Sequence, residues 1–132
     1  MKTKAIKQVI LFKAPPEEMY DAMMDSKKHS AFTGDAAKIG KKVGERFTAY
    51  GGYAEGKNVE LIPGRKIVQS WRASDWKEGY YSQVTFLFEE TKEGTKMTFI
   101  QKGVPEEFYE DIEQGWIDYY WGPMREMLEK GL

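Results

Sequence analysis

Alternation of apolar and polar residues with a period of two constrains this chain more than any other feature. Five segments between Glu45 and Lys102 carry the alternation, and short turn signals such as Gly51-Gly52 and Pro63-Gly64 separate them. The five segments are 45–50, 53–61, 66–72, 80–89 and 95–102. Strands with this period bury one face, and hairpin-length turns join antiparallel neighbours. The pattern therefore predicts a curved antiparallel sheet whose apolar face another element must cover.

The residues before this run predict one strand and two short helices. The segment 5–13 is rich in Ile, Val and Phe and ends at Pro15-Pro16, which suits a strand followed by a helix start. Apolar residues at helical spacing then indicate a helix to about Met24. Asp25 or Ser26 can cap a second short helix, which runs through Phe32 and which Gly34 closes.

The segment 105–132 predicts one long amphipathic helix, which Pro123 kinks rather than ends. Its apolar stripe consists of Phe108, Ile112, Trp116, Tyr119, Tyr120 and Met127. No other predicted element is long enough to cover the sheet. We therefore expect a single α+β domain over 1–132 with a helix-grip fold, in which two short helices and the long C-terminal helix pack across the concave face of the curved antiparallel sheet.

Composition excludes several classes of function. The chain has no cysteine and one histidine, so disulfides, thiolate metal sites and His-based triads lack their residues. Its 20 basic and 21 acidic residues give a net charge of −1, which attracts neither nucleic acid nor an anionic membrane. No run approaches the ~20 apolar residues of a membrane span, and no signal sequence is recognisable. We expect a cytoplasmic protein.

No constellation of residues predicts catalysis, a metal or a cofactor. His29 lies between lysines and serine, so we interpret it as a solvated surface residue. The acidic residues between Glu106 and Glu113 match no calcium loop and suit a solvated helix start. The sequence therefore indicates a protein that is not an enzyme.

A ligand cavity between the sheet and the final helix is the main candidate site. Aromatic residues make up 14% of the chain and there are 7 methionines, which can line a cavity or simply fill a core. Polar residues on the inner face would bind water or a ligand headgroup, unless sheet curvature turns them outwards. The candidate cavity residues are Phe47, Asn58, Gln69, Trp71, Ser82, Val84, Phe86, Phe88, Met97, Phe99, Gln101, Trp116, Tyr119 and Tyr120.

A second candidate site lies on the flank of the final helix. With Trp116 facing the sheet, Ile117, Trp121 and Leu128 fall about 100–140° away around the helix, outside a core stripe of normal width. Exposed together, they would form an apolar patch typical of protein interfaces. The alternative is that the hairpins curl over them.

Several segments resemble one known family over nearly the whole chain. They are 16–20 (PEEMY), 31–33 (AFT), 61–63 (LIP), 67–68 (IV), 71–72 (WR), 76–79 (WKEG), 103–105 (GVP), 114–116 (QGW) and 119–120 (YY). The layout is similar to the helix-grip superfamily of polyketide cyclase, START and plant-allergen type domains (SRPBCC). Within it, the chain resembles the C-terminal domain of the activator of the heat shock protein 90 ATPase. The Gln-Gly-Trp and Tyr-Tyr block is the most specific part.

The resemblance implies a non-enzymatic, co-chaperone-like module that stimulates a chaperone ATPase, with a heat shock protein 90-type chaperone as its partner. The alternative is a carrier or sensor of a small hydrophobic or amphipathic ligand held between the sheet and the C-terminal helix. An enzyme such as a cyclase or hydrolase ranks third, because no nucleophile–base pair is present. Both a monomer and a homodimer agree with the sequence.

Overall fold

Seven antiparallel strands form one sheet in the computed structural model, which describes residues 1–130. The strands are β1 (Thr3–Phe12), β2 (Lys38–Ile39), β3 (Arg46–Ala49), β4 (Ala54–Ile62), β5 (Lys66–Ala73), β6 (Ser82–Thr91) and β7 (Gly94–Pro105). They lie in the order β1-β7-β6-β5-β4-β3-β2. Strands β2 to β7 therefore pair with their sequence neighbours, and β1 pairs with β7. The predicted α+β class is confirmed, and β2 is the strand that the sequence pattern missed.

The two short helices lie where the sequence predicts them. They are α1 (Pro16–Met24) and α2 (Ser26–Thr33). Of the two candidate caps for α2, the structure uses Asp25, whose carboxylate accepts a hydrogen bond from the backbone N–H of Lys28 at 3.0 Å. Gly34 ends the helix in the left-handed region with φ of +73°, a conformation that glycine adopts without strain.

The C-terminal segment is helical but not one regular helix. It begins with a 3-10 turn (Glu106–Phe108) and continues as α3 (Tyr109–Trp116), a π-helical turn (Ile117–Trp121) and α4 (Gly122–Lys130). Pro105 ends strand β7 instead of starting the helix, so the predicted start is early by a few residues. Positions 131 and 132 of the predicted helix lie outside the described residues.

The irregularity of this helix comes directly before Pro123. The backbone N–H of Gly122 bonds to the carbonyl of Ile117, five residues earlier, which is the π-helical pattern. Pro123 has no N–H to donate to the carbonyl of Tyr119, the α-helical acceptor four residues before it. The helix continues through Pro123, as the sequence predicts, and the π turn lies directly before the proline.

The π turn corrects the prediction for Trp121. In a regular α-helix Trp121 points about 140° away from Trp116, whereas i→i+5 hydrogen bonding places it nearly above Trp116. The two indole rings stack, with centroids 5.4 Å apart and an angle of 18° between the planes. Trp121 is 4% exposed, Leu128 is half-buried against the core, and Ile117 remains 45% exposed. The predicted exposed flank is therefore wrong for Trp121.

The core lies between the concave face of the sheet and the helices. Alternate residues of β6 and β7, namely Val84, Phe86, Met97 and Phe99, are fully buried on this face. Methionines from α1 and α4, among them Met19 and Met124, fill the space between sheet and helices. Unbranched thioether side chains suit this irregular gap.

Close packing of β4 on β5 leaves no space for a side chain at Gly56. A Cβ atom there would lie 1.8 Å from the carbonyl oxygen of Ser70 and 2.8 Å from the ring of Phe47. We expect Gly56→Ala to lower the free energy of unfolding by about 1–3 kcal/mol, as overpacking of a core does, in urea denaturation. Gly115 on α3 is the matched control, because a Cβ there meets only Tyr119 at 3.8 Å. Gly115→Ala should raise the same free energy by about 0.5–1 kcal/mol, and equal stability of both variants would contradict this packing.

Candidate functional site

A cleft with a volume of about 340 Å³ lies between the sheet and the C-terminal helix. Its walls come from the turn between β3 and β4, from the beginning of β4, from β5, and from α3 with the π turn. The segment after α2 adds one residue. The lining residues are Asp35, Tyr50, Tyr53, Ala54, Trp71, Asp111, Ile112, Gly115, Trp116, Tyr119 and Tyr120. The volume is in the range typical of small-molecule sites, about 300–1,000 Å³.

A chain of hydrogen bonds joins the Trp116 side chain to the backbone of Trp71, and both residues line the cleft. The indole N–H of Trp116 donates to Oε1 of Gln101 at 2.8 Å. Nε2 of Gln101 donates to Oγ of Ser82 at 3.0 Å, and the Ser82 hydroxyl donates to the backbone carbonyl of Trp71 at 2.9 Å. All four side chains are buried. The helix is thereby connected through β7 and β6 to β5, with each of these polar side chains partnered.

The rim of the cleft is attached to the helix at its irregular point. Tyr50 has φ of +51°, an unfavourable backbone conformation for an aromatic residue. Its hydroxyl donates to the carbonyl of Tyr119, the group that Pro123 leaves without an α-helical donor. Its ring packs edge-on against Tyr119 and Tyr120, with centroids 5.9 and 5.7 Å away. These contacts hold Tyr50 in a conformation that it would not adopt alone.

The interpretation of His29 as a solvated residue is wrong. His29 is 3% exposed, and its ring lies 3.0 Å from the carbonyl of Met23 through Nδ1 and 3.0 Å from the hydroxyl of Tyr120 through Nε2. A carbonyl only accepts, so Nδ1 carries the proton and Nε2 accepts from the Tyr120 hydroxyl. Burial lowers the pKa of His29 and raises the pKa of Tyr120, which agrees with a neutral imidazole and a protonated phenol. His29 thus positions Tyr120 in the wall of the cleft.

Negative charge gathers at the mouth of the cleft. Asp35 and Asp111 are exposed, and among the described residues no Lys, Arg or His lines the cleft. Burial raises the pKa of the Tyr50 phenol to about 12, with Asp35 adding to the increase. Burial also raises the pKa of Tyr53, and Asp111 contributes. Both phenols stay neutral at pH 7, so the two carboxylates set the sign of the local charge.

The cleft brings together four of the predicted cavity residues, Trp71, Trp116, Tyr119 and Tyr120. The other apolar residues predicted to line the cavity are buried in the core instead. They are Phe47, Val84, Phe86, Phe88, Met97 and Phe99. The predicted apolar wall is therefore mostly core.

The predicted inward polar residues are buried, and they bond to protein groups. Gln69 donates to Oδ1 of Asn58 at 3.0 Å, and Nδ2 of Asn58 donates to the carbonyls of Gly40 and Lys42. This pair ties the segment after β2 to β4 and β5, away from the cleft. Gln101 and Ser82 belong to the chain of hydrogen bonds described above. None of the four lines the cleft.

Sequence reasoning missed the residues that shape the mouth of the cleft, which are Asp35, Tyr50, Asp111 and Gly115. The sequence Tyr50-Gly51-Gly52-Tyr53 carries a usable signal, because it places a large ring on each side of two glycines, which adopt positive φ readily. The turn is instead a 3-10 turn in which Gly51 and Gly52 both have positive φ. That conformation brings both tyrosines to the rim.

The described residues 1–130 show neither a metal site nor a membrane-spanning helix. No group of three or more His, Cys, Asp or Glu side chains in this range is arranged to hold a metal ion. No helix of the same range is long and apolar enough to cross a membrane.

Burial of His29 makes stability depend on pH. The unfolded chain binds a proton on His29 below the usual pKa of 6.5, while burial lowers the pKa in the folded chain, which binds the proton only at lower pH. We expect the free energy of unfolding to be constant above about pH 7.5 and to fall between pH 7 and 5.5, by at most about 1.4 kcal/mol per pH unit. Urea denaturation at pH 7.5 and 5.5 measures the change.

His29→Gln is the matched variant for this measurement, because its amide can replace both hydrogen bonds and does not titrate. The chain has no other histidine, so the slope between pH 7 and 5.5 should be largely lost in the variant. An equal slope in both proteins would contradict the assignment.

The Tyr50 hydroxyl bond should depend on the proline. We expect Tyr50→Phe to lower the free energy of unfolding by about 1 kcal/mol, because the Tyr119 carbonyl loses its donor. In a Pro123→Ala background the restored N–H can reach the same carbonyl, so Tyr50→Phe should cost less. Urea denaturation of the four proteins of this double-mutant cycle measures the coupling. Strict additivity would contradict the link.

Comparison with known proteins finds similarity to proteins named as activators of the Hsp90 ATPase. The family model "Activator of Hsp90 ATPase homolog 1-like protein" matches residues 13–129. A Dictyostelium discoideum protein called "Activator of 90 kDa heat shock protein ATPase homolog" is 37% identical over 115 residues, which are 86% of this chain and 30% of that protein. The human "Activator of 90 kDa heat shock protein ATPase homolog 1" is 28% identical over 91% of this chain and 36% of its own length. The chain therefore spans about a third of these relatives.

Solved structures agree with the fold. An HSP90 activator from Plasmodium falciparum superposes with a TM-score of 0.82 at 26% identity, covering 98% of this chain and 96% of that one. The Aha1 dimer from Colwellia psychrerythraea superposes with a TM-score of 0.82 at 20% identity, over 97% and 98% of the two chains. With the helix-grip layout and the family match over most of its length, this chain belongs to the family of Activator of Hsp90 ATPase homolog 1-like proteins.

Proposed function

We propose that this chain is a cytoplasmic co-chaperone-like module that binds a heat shock protein 90-type chaperone and stimulates its ATPase. The observation that carries the proposal is the 37% identity to a protein named as an activator of that ATPase, over 86% of this chain. The family is named for activation of another protein's ATPase, which supports a regulator rather than an enzyme.

The surface chemistry agrees with binding through shape and apolar contact. A net charge of −1 provides little long-range attraction for a protein partner. Ile117, 45% exposed on the π turn, is the member of the predicted interface flank that remains largely accessible. We therefore propose Ile117 as a contact residue for the chaperone.

The purified chain and the heat shock protein 90-type chaperone of its source organism provide the test. We expect calorimetry to detect binding. We also expect the chaperone's steady-state rate of ATP hydrolysis to rise, once the background hydrolysis that persists in the presence of an ATP-site inhibitor of the chaperone has been subtracted. Replacing Ile117 by Ser should weaken binding by about 1 kcal/mol, as loss of an apolar contact does.

Val59→Ser is the matched control, because Val59 is 51% exposed on β4, outside the C-terminal helix. The control should bind as the wild type does. A folded chain that neither binds the chaperone nor changes its ATPase rate would refute the proposed function, and equal binding by both variants would refute the role of Ile117.

The volume of the cleft, about 340 Å³, favours a second function, which is binding of a small ligand between the sheet and the C-terminal helix. Native mass spectrometry of protein purified without added ligand tests it. We expect a bound small molecule in the wild type and none in Gly115→Leu, because Gly115 lines the cleft and a Cβ there meets only the Tyr119 ring at 3.8 Å. A wild-type protein without any adduct would contradict retention of such a ligand through purification.

A further inference from the structure

The walls of the cleft are mostly aromatic surface. Six of the lining residues are aromatic. The polar atoms of three of them already have partners in the protein, since Trp116 donates to Gln101, Tyr120 to His29 and Tyr50 to the Tyr119 carbonyl. A ligand group that needs many hydrogen bonds would find few partners at these three positions. A group that binds to aromatic rings through its charge distribution suits such a surface better.

The charge at the mouth of the cleft has one sign. Asp35 and Asp111 line it, and no basic side chain among the described residues does. Neither carboxylate belongs to any of the ion pairs within residues 1–130. An anion would be repelled here, and an uncharged ligand would displace water from the carboxylates without replacing their lost interactions. A cation compensates both groups.

Aromatic rings and carboxylates attract the same kind of ligand. The faces of Trp and Tyr rings carry negative charge density and bind organic cations, above all alkylated ammonium groups whose methyl groups need no hydrogen bonds. A volume of about 340 Å³ exceeds what one ammonium group needs, which leaves space for an apolar stem. A small molecule fits this space better than a single lysine side chain of a partner protein.

We propose that the cleft binds a small organic cation, namely an alkylated ammonium group on an apolar stem. The ammonium group lies between the tyrosines of the rim and the carboxylates of Asp35 and Asp111, and the stem packs on Trp71 and Trp116. This inference rests on the second proposed function, binding of a small ligand in the cleft.

The test compares two probes of the same shape and different charge. Benzyltrimethylammonium is the cation, and neopentylbenzene, in which carbon replaces the nitrogen, is its uncharged isostere. Each is titrated into the wild-type protein at low ionic strength, and chemical shifts of the indole N–H groups of Trp71 and Trp116 report occupancy. We expect the cation to bind at least tenfold more tightly than the isostere.

Variants separate the charge from the cavity. The double variant Asp35→Asn, Asp111→Asn should lose at least tenfold in affinity for benzyltrimethylammonium and bind neopentylbenzene as the wild type does. The control Glu89→Gln, Glu93→Gln removes two exposed carboxylates, one in β6 and one in the β6–β7 turn, and should change neither affinity. Gly115→Leu should abolish binding of both probes. The urea midpoint of each variant shows that it is folded.

The outcomes distinguish the preference for a cation from the existence of a ligand site in the cleft. Equal affinity for both probes, with loss of both in Gly115→Leu, would overturn the preference for a cation and leave the ligand site standing. No binding of either probe to the wild type would overturn both. Equal loss of cation affinity in the control variant would mean that net charge alone attracts the probe, which also overturns the inference.

Discussion

Packing of Trp116 against the sheet is the interaction on which the rest of the structure depends. The centroid of its ring lies 4.5 Å from the ring centroid of Phe99 and 5.7 Å from that of Trp71, and Trp121 stacks on it. Its indole N–H also bonds to Gln101 in β7. The helix is thus held by a large apolar contact that sets its distance from the sheet and by a directional bond that sets its rotation. Displacement of this one ring would change the core and the wall of the cleft together.

The π turn follows from the same constraint. Pro123 removes one α-helical donor, so the helix has to rearrange nearby, and the i→i+5 pattern does so while turning Trp121 into the core. The Tyr119 carbonyl, which has no α-helical donor because of Pro123, accepts a hydrogen bond from the hydroxyl of Tyr50 on the facing turn. The irregularity thereby connects the helix to the rim of the cleft. π-helical turns are frequently found at functional sites, and this one borders the candidate site.

Two proposed functions use different parts of one surface. The aromatic cleft supports binding of a small molecule, while Ile117 on the π turn supports contact with a chaperone. Both lie on the C-terminal helix, and Tyr119 in the cleft is two residues from Ile117. Occupancy of the cleft and contact with a partner would therefore act on the same turn of helix. His29 lies behind this turn and holds Tyr120 through a hydrogen bond from the Tyr120 hydroxyl.

Local patterns were enough to predict the class of fold, the two short helices, most strands and the inward direction of Trp116. Period-two alternation, the Asp25 cap and Gly34 act within a few residues of chain, so they are readable from sequence. The hydrogen bond between His29 and Tyr120 joins residues 91 positions apart. The stack of Trp116 on Trp121 depends on a π turn, which the spacing of apolar residues does not predict. Only the tertiary structure decided that His29 is buried, that the inward polar residues satisfy one another, and that a cleft remains beside the core. Those outcomes depend on how closely sheet and helix approach, and that distance is set by all their contacts at once.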